Sequence, residues 1–212
     1  CKQRFIQKGS IVTADEVGKL LNVSRETFSQ FEAYLALLEK WQRRINLVAN
    51  STMVDVWQRH ILDSAQLIKF YPPNTKKILD VGSGAGFPGL VLAIMGNVEV
   101  DLVESDQRKA IFLSTVIRSL GLPAKVHNQR IETLPNLSPD VITARAVAPV
   151  FKLMELIKNQ ISLDTVCLFL KGASVQDELT ELQTYSTMVA VNHPSLSGAN
   201  GVVLELKHKS LN

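Results

Sequence analysis

Disulfide chemistry has almost nothing to work with in this sequence. The 212 residues include two cysteines, Cys1 and Cys167. Two cannot build a stapled framework, so the fold must rest on a hydrophobic core, and a reducing compartment is expected. Cys167 lies in an apolar run and reads as a small buried residue. No apolar run reaches the roughly 20 residues that cross a bilayer, and no signal peptide is visible, so no membrane partner is expected. The first residue is Cys1 rather than Met, which carries the expectation that the natural start is missing or processed. Neither sign of charge dominates: 23 Lys and Arg stand against 20 Asp and Glu, a formal net charge of +3. That mild excess, with a pI near 8.9, is compatible with nucleic acid without demanding it. Internal repeats and low-complexity tracts are absent. Hydrophobic residues make up 46%, enough for one sizeable core.

The signatures of metal or covalent catalysis are missing as well. Arg59-His60-Ile61-Leu62-Asp63-Ser64 places His60, Asp63 and Ser64 on one helix face by i, i+3 and i+4 spacing. A metal site needs a third ligand that is not in view. A Ser-His-Asp nucleophile needs a strained elbow, and Gly82-Ser83-Gly84 is not G-x-S-x-G. By itself this pattern reads as helix-surface hydrogen bonding.

What is present is a glycine-rich turn between an apolar run and a second apolar run at helical spacing: Ile78-Leu79-Asp80-Val81-Gly82-Ser83-Gly84-Ala85-Gly86-Phe87-Pro88-Gly89-Leu90. It reads as a buried parallel strand, a tight turn and a helix starting near Pro88, where a missing N–H does no harm. Glycine at 82, 84 and 86 lets a ligand approach the main chain. A phosphate loop would need Lys-Ser or Lys-Thr after the last glycine, and neither is there. Gly84, Gly86 and Gly89 do fit the dinucleotide pattern G-x-G-x-x-G. Against that reading stand Asp80 ahead of the first glycine and three glycines in alternation. Asp-x-Gly-x-Gly-x-Gly after a strand resembles motif I of class I S-adenosylmethionine (SAM) methyltransferases. SAM offers a carboxylate for backbone N–H groups and an ammonium for a side-chain carboxylate.

Ahead of this turn the sequence is helical. Thr13-Ala14-Asp15-Glu16 is a capping box for a short helix reaching about Asn22. Ser24 caps a longer helix with the apolar stripe Phe28, Phe31, Leu35, Leu38 and Ile45. Ser51 opens a third, with Val54, Trp57, Ile61, Ala65 and Ile68 on its buried side. Tyr71-Pro72-Pro73-Asn74 ends it and marks a boundary between a helical segment, 1–73, and a second unit, 74–212.

Beyond the boundary strands and helices alternate. Strands are expected at Lys77–Val81, Val98–Glu104, Ala124–His127, Asp140–Ala144, Thr165–Leu170, Met188–Asn192 and Val202–His208. Helices are expected after Pro88, over Arg108–Leu120 with Gly121 closing it, briefly at Ile131–Leu134, and over Phe151–Ile157 and Gln176–Tyr185. The prediction is an α/β fold: a Rossmann-like, seven-stranded, mostly parallel sheet with an antiparallel last strand, plus the N-terminal helices. Such a sheet, with that final reversal, looks like the fold of class I SAM-dependent methyltransferases.

Ligands in such folds sit outside the carboxyl ends of the strands, so the residues at those ends are the site candidates. Asp80 and the glycines end strand one. Glu104 ends strand two, about twenty residues after the turn, where a carboxylate suits ribose hydroxyls. After strand three, Ile131 offers an apolar wall and Glu132 an acceptor for an adenine amino group. Arg145 ends strand four in an otherwise apolar run, where an unpaired cation is costly to bury. Lys171 ends strand five. With Arg108 and Arg130 these cations form a rim suited to a polyanion.

Read together, several segments resemble the bacterial glucose-inhibited division protein B family. They are Trp41 and Asn46-Leu47, Arg59-His60-Ile61-Leu62-Asp63-Ser64, Asp80–Gly89, Glu104-Ser105, Arg130-Ile131-Glu132, Arg145-Ala146 and Leu170-Lys171-Gly172. The likeness runs from about residue 28 to the end. It implies a methyltransferase acting on a guanine N7 of small-subunit (16S) ribosomal RNA in the cytoplasm, with SAM as cofactor. It implies SAM contacts at Gly82, Phe87, Ile131, Glu132 and Arg145, and functional basic positions at Arg108, Arg130, Arg145 and Lys171. The family often has Lys where Arg108 stands and Asp where Glu104 stands. Catalytic roles are expected for Arg145, Lys171 and Arg130. Asp80, Gly84, Gly86 and Glu104 join the cofactor set. Arg108, Arg130, Lys171, His60, Asp63 and Asn46 are expected to meet RNA, with His60 and Asp63 carried to the site by the N-terminal helices. No metal is expected. The partner is ribosomal RNA or the small ribosomal subunit, and a monomer is expected. The alternatives are a SAM methyltransferase of a small molecule or protein, and a nicotinamide-binding protein.

Overall fold

The computed structural model describes residues 13–172, 175–182, 188–198 and 201–208. The N-terminal helices form as their caps dictate. Helix α1, Ala14–Leu21, starts at Thr13, whose hydroxyl accepts from Glu16 N while Glu16 Oε2 accepts from Thr13 N at 2.9 Å. Helix α2, Arg25–Gln42, starts at Ser24, whose Oγ accepts from Thr27 N at 3.1 Å. Its fully buried face is Phe31, Tyr34 and Leu38. Phe28, Leu35 and Ile45 of the expected stripe are only half-buried. Tyr34 takes an inward position instead, and its hydroxyl has a partner inside, donating to Ala85 O at 2.6 Å. After α2, Gln42 folds the chain back on itself. Its amide donates to Val48 O at 2.7 Å and accepts from Leu47 N at 2.9 Å.

The third helix departs from expectation. Ser51 lies in a single 3₁₀ turn, Asn50–Thr52, and Val54 is 72% exposed rather than buried. A composite helix, α3, follows over 57–70: π-helical turns at Trp57–Leu62, one α turn at Asp63–Ala65 and a 3₁₀ end at Gln66–Phe70. No side-chain cap holds its start, and Asp63 N bonds back to Gln58 O across five residues. The turn is wider than the regular α-helix on which a shared face for His60, Asp63 and Ser64 was expected.

The remaining elements alternate as β1 Lys77–Val81, α4 Gly89–Met95, β2 Glu99–Val103, α5 Gln107–Leu120, β3 Ala124–His127, β4 Val141–Arg145, α6 Val150–Ile157, β5 Val166–Lys171, α7 Val175–Leu182, β6 Met188–Pro194 and β7 Val202–His208. Gly121 closes α5 in the left-handed region, at φ 63°. The expected end of α7 at Tyr185 lies outside the described residues. The sheet order is β3-β2-β1-β4-β5-β7-β6. Strands β1 to β5 pair in parallel, and β7 runs antiparallel between β5 and β6. Order reverses between β1 and β4, which opens a crevice at their carboxyl ends.

Alternate residues of each strand supply two apolar layers. Ile78, Val100, Leu102, Leu168 and Val203 pack on one face with Phe31, Tyr34, Leu38 and Ile61 of the N-terminal helices. Leu79, Val81, Ile142, Phe169 and Leu204 pack on the other with Leu153, Met154 and Ile157 of α6. The N-terminal helices therefore share a core with the sheet. At about 1.5–3 kcal/mol per fully buried large apolar side chain, that shared layer is a large part of the driving force for folding. Cys167 is buried in the second layer, and burial pushes its thiol up to about 12.

Tyr34→Phe keeps the packing and strands the Ala85 carbonyl. We expect a loss of about 1–3 kcal/mol in urea unfolding, with an unchanged far-UV spectrum.

Candidate active site

The glycine turn is held from below and from both sides. Asp80 is fully buried beneath it. Thr143 Oγ1 of β4 donates to Asp80 Oδ1 at 2.8 Å, and Ser83 Oγ donates to the Asp80 carbonyl at 3.0 Å. Burial pushes the Asp80 carboxyl up to about 6 against those hydrogen bonds. Gly89 has no room for a side chain: a Cβ there would sit 2.3 Å from Leu102 and 2.7 Å from Asp80 Oδ2. Gly82, at φ +65°, has Val147 of the loop after β4 directly over it, 2.6 Å from where a Cβ would be. Asp80 thus braces the turn from below, whereas a ligand-facing role was expected of it.

Glu104 holds the turn from β2. Its Oε2 accepts from Gly84 N at 2.9 Å and its Oε1 from Asp106 N at 2.8 Å. Each oxygen keeps a lone pair, so a ribose contact is compatible with this tie. Asn128 Nδ2 donates to the Glu104 carbonyl at 2.8 Å. Ile131 is buried at the start of a 3₁₀ turn, Ile131–Thr133, and Glu132 beside it is exposed.

Phe87 is the platform of the site. The His60 ring stacks on it at 4.7 Å and 19°, the Tyr34 ring meets it at 5.3 Å, and the Arg145 guanidinium carbon lies 4.9 Å from its centroid. Arg145 Nη1 donates to His60 Nδ1 at 2.7 Å and to Arg59 O at 3.2 Å. His60 Nε2 meets Thr52 Oγ1 at 2.9 Å, and Thr52 Oγ1 donates to Ala49 O at 2.7 Å. That chain of donors assigns the tautomer. The Thr52 proton is committed to Ala49, so Nε2 carries the imidazole proton and Nδ1 is the bare acceptor. Burial, reinforced by Arg145 and Arg59, pushes the imidazole down to about 3. Burial weakens the hold of Arg145 on its proton, and the charge of Asp63 is the main opposing influence. Ala146, the next residue, sits at φ +54°, a strained conformation for a residue with a Cβ.

The other expected residues divide. Lys171 stands at the end of β5 with its ammonium committed: Nζ donates to Ala148 O at 2.7 Å and pairs with Glu178 Oε2 at 2.8 Å. The same Glu178 oxygen accepts from Val150 N at 2.8 Å, closing the start of α6. Asp63 Oδ1 accepts from Gln66, Ser195 and Ser197, which ties α3 to the hairpin between β6 and β7. Arg108 and Arg130 are exposed, Arg108 within 3.5 Å of Asp106. Asn46 is exposed and meets Gln42 at 3.5 Å. His60 and Ser64 are buried, so surface hydrogen bonding does not describe that motif. Tyr34, Thr52, Gln66, Glu178, Ser195 and Ser197 were not foreseen. Each reaches its partner across the fold or through a turn that has no local pattern.

An open cavity of about 510 Å³ lies outside the carboxyl ends of β4 and β5, walled by Asp63, Arg145, Ala146–Pro149, Leu170–Gly172 and Glu178.

The model of the family described as rRNA small subunit methyltransferase G matches residues 27–206. A protein of that name from Rhodospirillum rubrum is 50% identical over 184 residues, which span 87% of this chain and 92% of the relative. The chain belongs to this family. Family members from other bacteria match as broadly: one from Rhodospirillum centenum is 49% identical over 87% of this chain and 85% of its own length. Among solved structures, a ribosomal protein L11 methylase from Lactobacillus delbrueckii subsp. bulgaricus shares the fold. Its TM-score is 0.59 at 12% identity, over 69% of this chain and 76% of that one. Members of the family are methyltransferases, and SAM is the methyl donor. The residues present fit that molecule. The space over Gly84 is open, with only the Gly82 carbonyl 3.7 Å from where a Cβ would stand. Glu104 keeps lone pairs at the end of β2, and Ile131 is an apolar side chain in the turn after β3. No helix among the described residues is long and apolar enough to cross a membrane.

The His60 pKa lies below its unfolded value, so its contribution to stability is present above pH about 6.5 and is lost as pH falls toward 3. The stability advantage of wild type over His60→Gln should shrink by about 2 kcal/mol between pH 7 and pH 5 in urea unfolding.

Proposed function

We propose that this chain transfers a methyl group from SAM to N7 of a guanine in 16S ribosomal RNA, in the cytoplasm and as a monomer. Membership of the family over residues 27–206 carries this reading. SAM supplies a methyl group made electrophilic by its sulfonium.

The chain's own residues do the rest. Gly82, Gly84, Gly86 and Phe87 form the cradle, with Asp80 bracing it and Glu104, Ile131 and Glu132 lining the side where a nucleoside would lie. Arg145 joins cradle to cavity, since it packs on Phe87 and also lines the pocket. It is the residue we assign both to the donor and to catalysis. Lys171 acts by locking the 146–149 loop through Ala148 and Glu178. Arg108 and Arg130 are the exposed cations for RNA phosphates, and Arg130 can also bear on the reaction from the end of β3. Asn46 is assigned to the RNA face, and His60 and Asp63 to the wall that α3 builds. Of the 1–73 segment, the described helices from residue 14 on serve as a cover on the sheet through the shared core.

A guanine N7 carries its lone pair in the ring plane and is unprotonated near neutrality. It needs no general base, so alignment and electrostatics suffice. That matches a site whose one buried imidazole is held neutral as an acceptor for Arg145.

Arg145→Ala should lower transfer to ribosomal RNA by about 100-fold or more while the far-UV spectrum is kept. Unchanged turnover would remove Arg145 from the site. If about three phosphates are held, affinity for RNA should fall about fourfold per doubling of salt. Indifference to salt would point to a small-molecule acceptor.

A further inference from the structure

The two oxygens of Asp63 have different surroundings. Oδ1 accepts from Gln66 Nε2 at 2.9 Å, Ser195 Oγ at 2.6 Å and Ser197 Oγ at 2.9 Å. Three donors on one oxygen fix the plane of the carboxylate. Gln66 is itself fully engaged, with Leu196 N donating to its Oε1 at 2.8 Å. Among the described residues no donor bonds to Oδ2, and Asp63 lines the cavity outside β4 and β5.

Arg145 lines the same cavity. Its charge and that of Asp63 influence one another, yet no ion pair within 4 Å joins them among the described residues. Nη1 of Arg145 is turned to His60 and Arg59, which leaves Nε and Nη2 among its donors. A carboxylate oxygen and a guanidinium on one wall, each unpaired with the other, are complementary to a planar group that shows a hydrogen-bond acceptor next to donors.

We infer that Asp63 reads the target guanine. Its open oxygen accepts from N1–H and the N2 amino group while Arg145 donates to O6. This rests on the function proposed above and adds the basis of its base specificity. Guanine alone among the four bases shows an acceptor followed by two donors along that edge. Adenine and cytosine would present a bare ring nitrogen to the carboxylate. Uracil offers one donor and then a second carbonyl. N7 lies on the other side of O6 and stays open to the donor.

The same contact favours the reaction. In transfer the N7 lone pair forms the new N–CH₃ bond as the S–CH₃ bond breaks with its pair left on sulfur. The positive charge passes from sulfur to the guanine ring, and no proton moves. The ring cation makes N1–H a stronger donor, so an anionic acceptor there holds the transition state more tightly than the ground state.

The competing role for Asp63 is to anchor the hairpin alone, and Asp63→Asn separates the two. Its amide oxygen can keep the bonds from Gln66 and the serines, since Gln66 Nε2 is donor-only. Its amide nitrogen replaces the open acceptor with a donor. We expect SAM affinity by calorimetry and the thermal midpoint to stay near wild type, while kcat/KM for ribosomal RNA falls about 100-fold and kcat falls with it. A second readout is blind to any structural role. With inosine, which lacks only the N2 amino group, at the methylated position, wild type should prefer guanine by about tenfold or more, and Asp63→Ala should lose that preference. Full activity of Asp63→Asn, or an unchanged guanine-to-inosine ratio in Asp63→Ala, would overturn the inference and leave the proposed function standing. Failure of wild type itself to methylate guanine N7 in ribosomal RNA would overturn both.

Discussion

A guanidinium held over an aromatic ring organises this molecule. Arg145 lies on Phe87 because His60 accepts from it, and His60 accepts because burial and two neighbouring arginines keep its ring neutral. A protonated imidazole could offer Arg145 no lone pair and would repel it. The contact joins three parts of the chain that are far apart in sequence: α3, the glycine turn and the end of β4. Phe87 also bears on Tyr34, whose hydroxyl reaches the Ala85 carbonyl inside the same turn. The N-terminal helices and the glycine turn are therefore one packed unit at the place we assign to the methyl donor and its acceptor.

Around this contact the backbone is held in forms that would not persist alone. Ala146 occupies the left-handed region at a cost of about 1–3 kcal/mol. Val147 rests on Gly82, and Lys171 with Glu178 grips the Ala148 carbonyl and the Val150 amide. The π-helical turns of α3 have the same logic. They carry His60, which accepts from Arg145, and lead into Asp63, which accepts from the β6–β7 hairpin. A strained loop and widened turns gathered at one crevice, tied by the half-buried Lys171–Glu178 pair and by the Gln66 amide, are what a preorganised site requires.

Much of the architecture was legible because it follows from local rules. The caps at Thr13 and Ser24, the αL stop at Gly121 and the strands at 77–81, 124–127 and 202–208 depend on near neighbours and on side-chain period. The glycine turn could be read because alternating glycines after a buried strand leave few other uses. The third helix could not. Its apolar spacing suits an α-helix from Ser51, but no side-chain cap holds a start there, and its polar residues bond to Arg145 and the hairpin across the fold.

The sequence by itself determined the order of strands and helices, the glycine turn with its flanking acids, and the set of cations at the strand ends. These are encoded in short windows, where period, caps and turn chemistry act. Only the tertiary structure decided which groups are free. Lys171 reads as an open cation and is closed by Glu178; Glu104 reads as a ribose acceptor and also holds Gly84 and Asp106; Asp80 reads as a ligand and lies beneath the turn. His60 reads as a surface histidine and is the acceptor that sets Arg145. The reason is physical: whether a charge is available depends on what packs against it from across the fold, and no local pattern carries that information.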